Sequence, residues 1–286
     1  MKWKKIMKRS IIVILIFLGL WLIMAQSCMK FRISDTKAKE KFEKVGVALT
    51  TETVKVGSSQ MHYAKTGNDS LPTIVFVHGS PGSWDAFSLY MQDKVLLKQF
   101  RMISIDRPGF GYSNFGDAEH LDDQSALISP LFNLWKNGKP IYLVGHSLGG
   151  PMLIQLNADN PGLFKGLVLL AGSVDPAEEK KEIWRYILDA GIISYLLPGA
   201  FKPSNKELIF FKKDIYALQD KFALVKCKVI IVHGTEDPFV PVGNATYAQS
   251  KLINAHSVRV ILIPGANHFI PWTKYETIKQ VLLELN

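Results

Sequence analysis

The chain has 286 residues, 48% of them hydrophobic and 21% charged, which is enough to bury one full core and carry an insertion. Its formal net charge is +9, yet residues 1–44 hold 11 Lys/Arg against 3 Asp/Glu, whereas residues 45–286 hold 23 against 22. The bulk of the chain is therefore almost neutral, which argues against a nucleic-acid-binding face, since that needs basic residues clustered on the folded part.

The basic excess opens the chain. Lys2, Lys4, Lys5, Lys8 and Arg9 precede an unbroken apolar stretch from Ile11 to Ala25. That stretch has the length of a signal h-region and falls short of the ~20 residues of a comfortable membrane span. Ala25-Gln26-Ser27 offers small residues to a signal peptidase, and Cys28 follows directly. Residues 1–27 thus read as a signal peptide or a membrane anchor. The segment resembles a bacterial lipoprotein signal, with Ala25 where that pattern usually has Leu, and the resemblance implies Cys28 as the lipidated residue. An ordinary cleaved signal and a retained anchor are the alternatives. Each exports the domain or leaves it attached to the outer side of the bacterial cytoplasmic membrane, with Lys2 to Arg9 inside. Residues 28–50, rich in Lys and Glu, read as a partly helical tether. Cys227 is the second and last cysteine, so no intrachain disulfide forms if Cys28 is removed or lipidated, and no Cys/His spacing suggests a metal site.

Thr51 to Val56 and Met61 to Lys65 flank Gly57-Ser58-Ser59, a hairpin signal. Short runs rich in Val, Ile and Leu follow at 74–77, 101–105, 141–144, 167–170, 229–232 and 258–263. Helical patterns fall at 84–99, 120–136, 151–160, 242–252 and 273–285. This alternation predicts an α/β fold, a mostly parallel sheet covered by helices on both faces. Residues 173–228 break it. They carry Trp184, Tyr186, Ile192, Tyr195, Phe201, Phe210 and Phe211 without a clear strand, and predict a small helical cap inserted into a core of residues 51–172 and 229–286.

Ligands of such sheets sit outside the carboxyl ends of the strands, and the loops there carry the candidate residues. The run at 141–144 leads into Gly145-His146-Ser147-Leu148-Gly149 and then a helix. A Gly-x-Ser-x-Gly between strand and helix is the setting of a nucleophile elbow, which holds Ser147 out at the strand end. A serine hydroxyl needs a base, and the base needs a third group to orient it. In this architecture the expected order is serine, acid, histidine. Asp237 sits in the loop after 229–232 and His268 in the loop after 258–263, with Glu236 and Asp175 as competing acids. His146 reads as a packing or pocket-wall residue, His78 and His233 as structural strand-end residues, and Asp106-Arg107-Pro108-Gly109 as a rigid turn beside the site.

Taken together and in order, these motifs resemble the α/β-hydrolase fold in its capped, esterase-like branch, from about residue 50 to the C-terminus. The resemblance implies an eight-stranded type of sheet, Ser147 as nucleophile, His268 as general base and acid, and Asp237 as the carboxylate that orients it. It implies His78-Gly79-Ser80-Pro81-Gly82 as the oxyanion loop, with the backbone N–H groups of Ser80 and Leu148 as donors, and neither cofactor nor metal. The expected substrate is a small acyl compound, first a carboxylic ester with an apolar part. Amide or carbon–carbon hydrolysis and perhydrolysis use the same groups. Serine at 147 argues against the epoxide-hydrolase and haloalkane-dehalogenase branches, which carry aspartate there. A non-catalytic binding module, or a membrane-surface interaction protein, is the reading of another class.

Overall fold

The computed structural model describes residues 2–180 and 182–286. Two helices, α1 (Lys2–Ser27) and α2 (Asp35–Glu43), precede the hairpin β1 (Thr50–Val56) and β2 (Ser59–Thr66). There follow β3 (Thr73–Val77), α3 (Ser88–Met91), β4 (Arg101–Ile105), α4 (Leu121–Ile128), α5 (Leu131–Trp135), β5 (Ile141–His146), α6 (Gly149–Asp159) and β6 (Phe164–Leu170). The chain continues through α7 (Trp184–Asp189), α8 (Phe201–Ala217), β7 (Lys228–Gly234), α9 (Gly243–Lys251), β8 (Ser257–Ile263), α10 (Ile270–Thr273) and α11 (Tyr275–Leu283). The eight strands form one sheet in the order β1-β2-β4-β3-β5-β6-β7-β8. β1, β2 and β4 pair antiparallel, and every pair from β4 to β8 is parallel.

Strands β3, β4 and β5 are buried along their whole length, because helices cover both faces. Their side chains still alternate. Val75, Val77, Ile103, Ile105 and Leu143 join α4, α5, α6 and α9 in one core. Ile74, Phe76, Met102 and Val144 join Trp84, Tyr90 and α11 in the other. Both cores thus lock the register of the central strands, whose carboxyl ends share one rim.

Two expected helices are interrupted, each for a local reason. The pattern at 84–99 forms α3 and separate 3₁₀ turns at Trp84–Phe87 and Leu96–Lys98. Asp93 Oδ1 accepts from the N–H groups of Val95 (2.8 Å) and Leu96 (3.0 Å), so its side chain caps a new turn where the helix would have continued. The pattern at 120–136 splits into α4 and α5 around Pro130, which has no N–H to continue the ladder.

Within residues 28–50, α2 is docked against the sheet domain. Ser34 caps α2, and Ala38 and Phe42 on its inner face are completely buried. Phe42 packs 6.1 Å from Trp84, ring centre to ring centre, so α2 belongs to the second core. Its first residue, Asp35, lies 3.3 Å from His62 Nε2, while His62 Nδ1 hydrogen-bonds Asp106 (2.7 Å). Burial lowers the pKa of His62, but the carboxylates of Asp106 and Asp35 outweigh it and leave the pKa raised. The charge pattern of α2 conceals this, because two apolar residues four apart suffice to dock a short helix. Phe42→Ala is expected to cost about 3–5 kcal/mol of stability. Urea unfolding of the full-length chain measures it, and a loss below about 1 kcal/mol would show that α2 is not part of the core.

Residues 173–228 contain α7, α8 and 3₁₀ turns at Gly191–Leu196 and Gln219–Leu224, with no strand among the described residues. The inner face of α8 is buried through Phe211 and Ile215, which join the first core.

Candidate active site

Ser147 stands at the junction of β5 and α6 with φ 55°. That left-handed backbone is unfavourable for a residue with a Cβ, so the surroundings must hold it. Its N–H donates to Leu170 O at the end of β6 (3.0 Å), and its carbonyl accepts from Gly150 N (2.9 Å). The turn also brings α6 hard against β3. A Cβ on Gly149 would lie 2.2 Å from Val77 O, so no larger residue fits there.

His268 and Asp237 arrive on the loops after β8 and β7. Their side chains meet at 2.6 Å, Nδ1 to Oδ2. The other carboxylate oxygen, Oδ1, accepts from the N–H groups of Phe239 (2.9 Å) and Val240 (2.8 Å). Burial raises the pKa of Asp237, but the hydrogen bond to His268 and the two backbone donors outweigh it and hold the pKa below the usual range. Asp237 is therefore an ionised acceptor at neutral pH. His268 must donate to it from Nδ1, which leaves Nε2 as the free, basic nitrogen. Of the competing acids, Glu236 is exposed, and Asp175 turns its carboxylate onto the N–H of Ala177 (2.9 Å). Ser147 and His268 are both buried on this rim, at 5% and 7% exposure. Among the described residues, Ser147 Oγ and His268 are not joined by a hydrogen bond, a leg that commonly tightens only with substrate bound.

Three further histidines surround the pair, all kept neutral chiefly by burial. His146 is driven down to about 3, by desolvation first and then by the neighbouring His268. Its Nε2–H donates to His268 O (3.0 Å), and its ring lies 4.7 Å from the His268 ring. The residue before Ser147 thus fixes the backbone of His268, a role that a packing assignment misses. His233 bonds Val240 O (2.9 Å) beneath Asp237. His78 lies well below its ordinary pKa through burial and the charge of Arg107.

The loop 78–82 passes beside the elbow. A Cβ on Gly79 would come within 2.9 Å of Ser147 Cβ. Among the described residues, neither the N–H of Ser80 nor that of Leu148 has a hydrogen-bond partner. The loop is held from below by Arg107, which is completely buried. Its guanidinium donates to His78 O (3.0 Å) and Gly79 O (3.2 Å), to Gln124 Oε1 (3.0 Å), and to both carboxylate oxygens of Glu207 on α8 (2.5 and 3.1 Å). Ser80 Oγ also reaches Ser204 Oγ of α8 (3.0 Å). The turn at 106–109 is thus the hub between the 78–82 loop and α8. The sequence marks Arg107 but not Glu207, which stands 100 residues away on a helix with no motif around it.

Among the described residues, no cluster of three or more His, Cys, Asp or Glu side chains is placed to hold a metal ion.

Residues 72–191 match the family described as the α/β hydrolase fold. The mouse serine hydrolase BPHL is 25% identical over 263 residues, covering 85% of this chain and 88% of that protein. Epoxide hydrolase 1 of Caenorhabditis elegans is 32% identical over 179 residues, 57% of this chain and 43% of the relative. A solved structure described as a membrane phospholipase A, a bacterial virulence factor, superposes with a TM-score of 0.63 at 15% identity over 98% of both chains, a likeness of fold alone. Sheet order, family match and structural neighbours agree, and the chain has the α/β-hydrolase fold.

Proposed function

We propose that this chain is a serine hydrolase that cleaves a carboxylic ester with an apolar part, with Ser147, His268 and Asp237 as the catalytic residues. One observation carries the reading: an ionised, fully hydrogen-bonded Asp237 orients His268 on the rim where a strained Ser147 stands. Ser147 Oγ attacks the ester carbonyl carbon while His268 Nε2 takes its proton. The carbonyl oxygen becomes an oxyanion, received by the unpaired N–H groups of Ser80 and Leu148. The carbon–oxygen bond to the alcohol then breaks, and His268 returns the proton to the departing oxygen. Water attacks the acyl-enzyme next, again giving its proton to His268, and the acid leaves as Ser147 recovers its hydrogen.

Serine at the elbow distinguishes this chemistry from the aspartate-based epoxide-hydrolase branch, despite the likeness to the worm enzyme. The mouse relative is itself described as a serine hydrolase, which supports the choice. The apolar preference is supported by Phe239, Phe269 and Trp272, which are partly exposed around His268 and His146. α1 supports attachment to the outer side of a membrane. Trp3–Ser27 is long and apolar enough to cross a bilayer, and apart from its C-terminal end it stands clear of the folded body. Its C-terminal end is bonded to residues 195–200, which favours a retained anchor over cleavage before Cys28.

A fluorophosphonate probe should label the wild-type chain and not Ser147→Ala, whose ester turnover should fall by roughly 10⁶-fold. Labelling that survives the substitution would refute the nucleophile. Asp237→Asn should lower kcat by about 10⁴-fold, as expected when the base is held in the wrong tautomer, whereas Glu236→Gln should leave kcat unchanged. The opposite ranking would move the acid to Glu236. Arg107→Lys cannot serve both loop carbonyls and both Glu207 oxygens, so kcat should fall about 10²-fold with little change in KM. An unchanged kcat in a variant with a normal melting temperature would remove Arg107 as a positioning residue.

A further inference from the structure

The segment from Ile183 to Phe201 exposes an unusual amount of apolar surface. Ile183, Ile187 and Ile192 are 72%, 61% and 84% exposed, and Trp184, Tyr195 and Leu196 stand open beside them. Only two charges, Arg185 and Asp189, fall within those 19 residues. A monomer rarely leaves such a patch in water without a partner for it.

The identity of that partner follows from what the patch is attached to. Residues 195–200 are bonded directly to the end of α1. Trp21 Nε1 donates to Leu196 O (2.9 Å), and Gln26 Nε2 donates to Tyr195 O (2.8 Å) and Leu197 O (2.9 Å). Gly199 N donates to Ala25 O (2.8 Å) and Ala200 N to Met29 O (2.9 Å). From Trp21 to Cys28 is about 10 Å along a helix, so this part of the fold reaches that far back beside the anchor. The apolar run from Ile11 to Ala25 spans only ~22 Å of helix, against ~30 Å of bilayer hydrocarbon. Residues 191–196 therefore sit at a depth where a spanning α1 is still passing through the leaflet. The polar atoms of α1 at that depth, Trp21 Nε1 and the Gln26 amide, are already satisfied by carbonyls, as a lipid environment demands. Cations border the patch in a snorkelling arrangement. Arg185 lies over Trp184 (4.4 Å), Lys202 lies over Tyr195 (4.1 Å), and Lys30 follows the anchor.

We propose that the face formed by α7 and the turn at 191–196 docks into the outer leaflet that α1 traverses, with Lys30, Arg185 and Lys202 among anionic headgroups, and that the substrate is an acyl ester of a lipid drawn from this leaflet. The distance inward is short. Phe201 at the start of α8 packs on Phe31 beside the anchor (5.3 Å), and Ser204, one turn further, bonds Ser80 of the oxyanion loop. One turn of α8 thus separates the membrane side from the proposed oxyanion site. The substrate part of this inference rests on the hydrolase reading above, and the docking part does not.

The test uses the full-length chain with Cys28→Ser and Cys227→Ser and one new cysteine, Ile187→Cys, Ile14→Cys or Lys139→Cys. Each is labelled with nitrobenzoxadiazole and reconstituted in vesicles of phosphatidylglycerol and phosphatidylethanolamine, with or without brominated acyl chains. Labels at 14 and 187 should shift to the blue and lose most of their emission to brominated lipid, while the label at 139, on the opposite end of the sheet, should do neither. Quenching at 14 with none at 187 overturns the docking face and leaves the anchor standing. Absence of quenching at 14 removes the anchor and the inference together. Cross-linking between copies through position 187, without quenching there, overturns it in favour of a homodimer face. In the unlabelled chain, Ile187→Asp with Ile192→Asp should lose most turnover of phospholipid in the vesicles and retain turnover of a short water-soluble ester; Ile187→Asn is the milder variant if the pair folds poorly. Equal effects on the two substrates overturn the lipid assignment, whereas failure of fluorophosphonate to label Ser147 in the parent chain overturns the hydrolase reading instead.

Discussion

The molecule depends on holding one serine where a serine does not belong. The left-handed backbone at Ser147 is unfavourable by about 1–3 kcal/mol, and within the turn the bond from Gly150 N to its carbonyl is the local support. Further compensation comes from neighbours that are distant in sequence. The end of β6 accepts the Ser147 N–H, and the end of β3 stands so close that only glycine fits at 149. Both strands are placed by two separate cores, one on each face of the sheet. The strained apex is therefore a product of the whole sheet, and it is rigid for the same reason.

Charge is distributed around that apex with similar economy. Burial keeps His78, His146 and His233 neutral, so the rim is not flooded with positive charge. Asp237, by contrast, is held ionised, because two backbone donors and His268 solvate it as water would. The second buried charge system, Arg107 with Glu207, sits one layer below and does a different task. A buried ion pair is weak evidence for stability, since desolvation offsets much of its attraction. Here it fixes the geometry of two carbonyls in the 78–82 loop and ties that loop to α8.

Much of this was legible in the sequence because the relevant signals are local. Strands buried on both faces read as continuous apolar runs, and the elbow, the 78–82 loop, Asp237 and His268 each follow such a run. What escaped is non-local or hidden by competing local chemistry. Glu207 carries no signal until α8 folds across the strand ends. The breaks near Asp93 and Pro130 come from one side chain and one missing N–H within otherwise helical patterns. The docking of α2 is hidden for a plainer reason. Lysines and glutamates dominate that segment, and its two buried residues, Ala38 and Phe42, are too few to stand out against them.

The docking of α2 changes what the N-terminal helix means mechanically. A domain on a flexible leash samples every orientation above a surface. This one is clamped at Phe31, His62 and Phe42, so its height and tilt relative to α1 are set by the fold. Shedding is constrained in the same way. A protease cutting between Cys28 and Arg32 would release a domain with α2 still seated, whereas a cut beyond Phe42 would open the second core. The N-terminal segment and the α/β body thus share side chains, and the chain has no clean seam between them.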